Sequence, residues 1–166
     1  KEAVQAANKV LASHASAQQS NMGSTVTTAL VIGNIATIAN VGDSRTYLLR
    51  EGQLRQITQD HSLVARLVQA HVITQEQVRS HPQRNQIFRS LGQQENVEVD
   101  TFTVLLSRGD RLILCCDGLW EMVLDAEIQR LVETARSPQQ ACDALISAAN
   151  AAGGEDNISV IVVEME

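Results

Sequence analysis

Cys115-Cys116-Asp117-Gly118-Leu119-Trp120-Glu121 follows the apolar run Leu112-Ile113-Leu114 and turns abruptly at an aspartate-glycine pair. Two other stretches repeat the pattern of an acidic residue beside glycine or a turn at the edge of a strand-like run. Upstream stands Gly42-Asp43-Ser44-Arg45, and downstream stands Gly153-Gly154-Glu155-Asp156-Asn157. A carboxylate at the end of a buried strand is costly unless paired or metal-bound. Carboxylates at the ends of neighbouring strands can converge, and oxygen-only ligands suit hard cations such as Mg²⁺ or Mn²⁺. The competing reading is turn chemistry: a cap or turn aspartate at Asp117, an Asx turn at Asp156, and Asp43 neutralised by Arg45. Three such aspartates, each abutting a strand, weaken that alternative without removing it.

Outward from these stretches, strands and helices separate by period. Residues 1–13 read as helix, with Val4, Ala7, Val10 and Leu11 on one face. No cap precedes Lys1, so this helix is expected to begin mid-stream. Residues 16–21 read as loop. Residues 25–32 and Ile35–Val41 read as a hairpin around Gly33-Asn34. Arg45–Arg50 and residues 53–58 form another around Glu51-Gly52. Between residues 60 and 92 the pattern changes to short polar helices. Asp60 is expected to cap the first, Thr74 and Gln77 form a capping box for the second, and His81-Pro82 ends it. Strands resume at 97–105 and 111–116. Asp125 is expected to cap a helix over 126–135, and Ser137 one that starts at Pro138 and stops at Gly153-Gly154. Residues 157–163 make a last strand. This order predicts an α+β domain, helices layered on antiparallel sheet, with 60–92 as an insertion.

Composition narrows the function. The 166 residues are 44% apolar with net charge −6, enough for one globular core and unlike a nucleic-acid groove. The aromatics are only Tyr47, Phe88, Phe102 and Trp120, too few for a base-stacking platform. No apolar run is long enough to span a membrane, and the start does not read as a signal peptide. Cys115, Cys116 and Cys142 form no Cys-x-x-Cys pair, so reduced thiols in a cytoplasmic protein are expected. The four histidines show no metal-ligand spacing.

Six stretches in order then match a family. They are Met22-Gly23-Ser24-Thr25, Val41-Gly42-Asp43-Ser44-Arg45, Thr58-Gln59-Asp60-His61-Ser62, His81-Pro82-Gln83-Arg84-Asn85, Cys116-Asp117-Gly118-Leu119-Trp120 and Asp156-Asn157-Ile158-Ser159-Val160. Through them the chain resembles the metal-dependent protein phosphatases, the PPM or type-2C family, especially its bacterial branch. The resemblance implies an αββα sandwich of antiparallel sheets flanked by helices, with two Mn²⁺ or Mg²⁺ ions and a possible third. It implies that Asp117 and Asp156 are metal ligands and that Asp43 serves the third ion together with Asp117. Asn85 is the nearest match to a flap carbonyl that reaches that ion. Residues 60–92, with Asp60, His61, His81 and Arg84, correspond to the flap subdomain linked to substrate access.

The sequence departs from the family pattern in two places. Its N-terminal third, with an Asp-Gly-x-Gly-Gly-His motif and a phosphate-holding group, has no match here, so residues 1–166 are expected to be a partial domain truncated at the N-terminus. Glu121 stands where some members have aspartate. The implied activity is hydrolysis of phosphoserine and phosphothreonine in a phosphorylated protein by metal-activated water, with no cysteine nucleophile. The fragment alone is expected to be inactive and to self-associate through exposed sheet edges. The alternatives are a catalytically silent regulatory or interaction module of the same fold, or a phosphatase of small molecules.

Overall fold

A computed structural model describes all residues, Lys1–Glu166. The elements run α1 (Glu2–Ala17), β1 (Val26–Ile32), β2 (Ile35–Val41), β3 (Arg45–Arg50), β4 (Gln53–Gln56), α2 (Leu63–Gln69), β5 (Asp100–Leu105), β6 (Arg111–Cys115), α3 (Asp117–Trp120), α4 (Asp125–Thr134), α5 (Pro138–Ala151) and β7 (Val160–Glu164). Two sheets form, in orders β1-β2-β5 and β4-β3-β6-β7. The hairpin turns behave as their residues require. Gly33, Glu51 and Gly52 adopt positive φ of 58°, 50° and 67°, the left-handed geometry that matches strand twist in two-residue loops.

The chain divides into two compact units. One comprises Thr28–Ile38, Ser44–Thr58 and Phe102–Glu166. Its four-stranded sheet is antiparallel, and one row of the register aligns Arg45, Cys115 and Val160. Side chains alternate across it. Tyr47, Leu49, Ile113, Cys115 and Val162 pack with Ile128 and Val132 of α4 and Ala141, Leu145 and Ala149 of α5. Leu48, Leu112 and Leu114 point to the opposite face and meet Ala36, Ile38 and Val104 of the first sheet. Sheet therefore lies on sheet, with a helix pair outside. Ser137 caps α5 by accepting from the Gln140 amide at 3.2 Å, and Pro138 occupies the first turn, where its missing N–H costs nothing.

The other unit comprises Lys1–Thr27, Ala39–Asp43 and Gln59–Thr101. Its core joins Val4 of α1, Ala39 and Val41 of β2, and Leu91, Val97 and Val99. Of the predicted stripe, Val4 is buried and Leu11 packs partly buried against the same core, whereas Ala7 is exposed and Val10 is 59% exposed; Asn8 and Ala15 complete the buried face. Asn8 is tolerated inside because it is satisfied. Its Nδ2 donates to the carbonyls of Gln94 and Glu95, and its Oδ1 accepts from the Gly92 amide.

Other expectations shift for physical reasons. Helix α1 runs on to Ala17, through residues expected to form a loop. Ser62, not Asp60, caps α2, its hydroxyl accepting from the Ala65 amide at 3.3 Å. Leu124 occupies the cap position of α4, and Asp125 is already helical. Strands β5 and β7 begin three residues later than their apolar patterns do, at Asp100 and Val160. Residues 60–92 are not wholly peripheral, since Val64, Val78 and Leu91 are buried.

Candidate metal centre

The β6–β7 end of the four-stranded sheet carries Asp117 and Asp156. Cys115 closes β6 opposite Val160, which opens β7. Asp117 lies two residues beyond the first and Asp156 four residues before the second. The segments that carry them touch. The Cys116 amide donates to the Ser159 carbonyl at 3.2 Å. The Ser159 amide donates to Cys116 Sγ, and that thiol donates to the Asn157 carbonyl, each at 3.2 Å. Gly118 packs so closely that a Cβ there would collide with the Asn157 carbonyl oxygen. Its φ is not the left-handed kind, so glycine serves close approach here rather than a special turn.

Both carboxylates are fixed by their neighbours. Asp117, half-buried at the start of α3, accepts from the Gly118 amide through Oδ1 at 2.9 Å. Asp156, exposed, accepts from the Asn157 amide through Oδ1 at 2.6 Å. Carboxylate oxygens are donors of the kind that suits a hard cation. No group of three or more His, Cys, Asp or Glu side chains comes together as a cation cage.

Beside them sits a network that sequence reasoning did not assemble. Arg45 stacks its guanidinium 3.7 Å over the Trp120 ring and donates to the Tyr47 hydroxyl at 2.9 Å. That hydroxyl in turn lies 3.4 Å from Asp125 Oδ1. Burial pushes the Tyr47 phenol far above its ordinary range, against the opposing charge of Arg45. Tyr47 is therefore a neutral hydrogen-bonding strut at working pH.

In the other unit, Asp43 is buried and follows Gly42, whose φ is 105°. A Cβ on Gly42 would collide with Thr25. Asp60 is half-buried. His61 is buried and holds Gly42 by two bonds, accepting from its amide at Nδ1 and donating its own amide to its carbonyl, both at 3.0 Å. Its Nε2 lies 3.2 Å from Asp100 Oδ2 and 3.0 Å from Arg89 Nη1. Arg89 also pairs with Asp100 at 2.7 Å and Glu98 at 2.9 Å. Burial lowers the His61 pKa, the largest influence on it, against the pull of Asp100. Burial pushes Asp100 up, but hydrogen bonds from His61 and Arg89 outweigh it and leave the carboxyl below its ordinary value. Arg89 and Asp100 carry no local sequence signal.

His81, Arg84 and Asn85 share one turn. The Gln83 amide donates to His81 Nδ1 at 3.2 Å and the Arg84 amide to the His81 carbonyl at 3.1 Å. Asn85 is exposed. A wide groove beside α1, lined by Lys9, Ser13, Met22 and residues 92–95, contains none of the predicted site residues.

Two antiparallel sheets, packed face to face, with helices outside and aspartates at a strand end, define an α+β sandwich with an acidic rim. The sequence profile of Protein phosphatase 2C matches residues 1–67 and 95–158, and the chain belongs to that family. It is 42% identical over 163 residues to a serine/threonine phosphatase, stp, of Listeria innocua, covering 97% of this chain and 65% of the relative. The crystal structure of the serine/threonine phosphatase Stp1 of Staphylococcus aureus superposes with a TM-score of 0.93 at 38% identity, covering 98% of this chain and 65% of that one. The catalytic domain of the serine threonine protein phosphatase PstP, solved in complex with two manganese ions, does so with a TM-score of 0.90 at 34% identity, covering 99% and 70%. The chain spans just under two thirds of the length of the Listeria relatives it matches.

Proposed function

We propose that the protein is a metal-dependent serine/threonine phosphatase acting on phosphorylated proteins, and that Asp117 and Asp156 are ligands of its cations, Mn²⁺ or Mg²⁺. The observation that carries this is the apposition of residues 116–118 and 157–159, which sets two carboxylates at one strand end in a chain of this family. Bound hard cations supply an acidified water and neutralise the phosphoryl oxygens. The chain's own part is to orient the two carboxylates, each through one backbone N–H. Asp43 is proposed as a ligand of a further ion, and the Asn85 carbonyl as a donor to it. Residues 60–92, including Asp60, His61, His81 and Arg84, are proposed to govern substrate access; the family match skips residues 68–94.

The absence of a three-residue cage favours one narrower reading, that the 166 residues alone bind metal weakly and act as an interaction module. Leu30 and Ile32 on edge strand β1 are 62% and 70% exposed, which supports self-association through that edge. No helix is long and apolar enough to cross a membrane, and three free thiols support a reducing, cytoplasmic setting. The test is release of phosphate from a phosphoserine peptide by the complete protein, with Mn²⁺ and with EDTA. Metal-dependent release supports the enzyme; none under any metal supports the module.

A further inference from the structure

We propose that Cys116 is a positioning residue whose thiol sets the spacing of Asp117 and Asp156. This inference rests on the reading of those carboxylates as cation ligands.

Cys116 is next to Asp117 in the chain, and its partners, Asn157 and Ser159, follow Asp156. One residue therefore makes three bonds to the opposite segment: N–H to the Ser159 carbonyl, S–H to the Asn157 carbonyl, and Sγ as acceptor from the Ser159 amide. A thiol can donate and accept at once, and both roles are used here. The Asn157 carbonyl is held between the Cys116 thiol and the α-carbon of Gly118, where no side chain fits. Asp156 is thus one residue from a clamped peptide, and Asp117 sits between the two clamping residues. The other thiols do not share this arrangement. Cys115 is buried in the core under α5, and Cys142 reaches only the Val160 carbonyl, at 3.9 Å.

The chemistry predicts a graded series. Serine keeps one donor and one acceptor. Valine fills the space with neither, and alanine has neither group nor volume. Groups that orient metal ligands without touching the metal typically contribute 10- to 100-fold in metal affinity.

The experiment is calorimetric titration of Mn²⁺ into the complete protein as wild type, C116S, C116V, C116A and C142A. Amide hydrogen exchange at Ser159 is measured in the metal-free state. C116S is expected within about threefold of wild type, and C116V and C116A about tenfold or more weaker, with Ser159 exchange accelerated and Ile113 exchange unchanged. C142A is expected to match wild type. Equal affinity in wild type and C116A, unaltered Ser159 exchange in C116A, or an equal loss in C142A would overturn the role of Cys116 alone. A wild type that binds no Mn²⁺ at all would instead overturn the reading of the two aspartates, and this inference with it. If C116V or C116A unfolds, C116S carries the test: Ser159 exchange and Mn²⁺ affinity changing in step supports the role of the thiol, and accelerated Ser159 exchange with unchanged affinity would overturn it.

Discussion

The Gly42 amide donates to Nδ1 of His61 at 3.0 Å while the His61 amide donates back to the Gly42 carbonyl at the same distance. The first bond requires a bare Nδ1, so the neutral ring carries its proton on Nε2, facing Asp100. Protonation would set two N–H groups against each other at Nδ1 and add a positive charge to a ring whose Nε2 lies 3.0 Å from Arg89 Nη1. Burial lowers the His61 pKa for the same reason it disfavours any buried cation. The unfolded chain therefore binds the proton more readily than the folded one. Stability from this group is complete above the ordinary histidine value of about 6.5 and is lost as pH falls below it. Urea midpoints measured from pH 7.5 to 5.0 should decline in the wild type and decline less in H61A. At pH 7.5 H61A should cost about 2 kcal/mol, since it strands the buried Gly42 amide. Parallel pH curves for the two proteins would contradict this.

Asp110 anchors the turn before β6. It accepts from Arg50 Nε at 2.9 Å, from Arg50 Nη2 at 2.5 Å, and from the Ser107 amide at 2.7 Å. The Arg50 hydrogen bond holds its carboxyl below the ordinary carboxylate value despite its burial. Arg50 itself is 38% exposed, so solvent screens the pair and its charge term is modest. D110A should lower stability by about 2 kcal/mol, mostly because the turn loses the acceptor of the Ser107 amide, and R50A by less. Denaturant midpoints order the two; R50A as damaging as D110A would show that the ion pair, not the turn, carries the effect.

Residues 71–86 contain one turn of 3₁₀ helix, Gln75–Gln77, and a single buried apolar side chain, Val78. Segments with so few buried contacts open locally at low cost. Their amides should exchange orders of magnitude faster than those of Ile35–Val41 or Arg111–Cys115. Equal protection would make this segment an integral element.

What was legible in the sequence was what local chemistry decides. Strands Ile35–Val41 and Arg45–Arg50 match their expected bounds because apolar runs there end at glycine turns. Ser137-Pro138 marks its helix start without a rival. Caps were misread where two polar residues compete within two positions, as Asp60 does with Ser62, because backbone dihedrals decide between them. On α1, Val4 and Leu11 face the core as expected, but Asn8 was missed because it is buried through partners more than eighty residues away. Asp117 and Asp156 were visible as carboxylates at strand ends. Cys116 was not, because a thiol beside an apolar strand reads as core, and its partners lie some forty residues on.

The most direct measurement is turnover of a phosphoserine peptide by the complete protein at saturating Mn²⁺, wild type against D117N, with bound metal quantified in both. Removing one charged oxygen ligand should lower the rate by about two orders of magnitude or more, equivalent to roughly 3 kcal/mol of lost transition-state stabilisation. Chelator should abolish wild-type turnover. A D117N protein that retains its fold and bound metal and turns over at nearly the wild-type rate would contradict the assignment of Asp117, and with it the proposed metal centre.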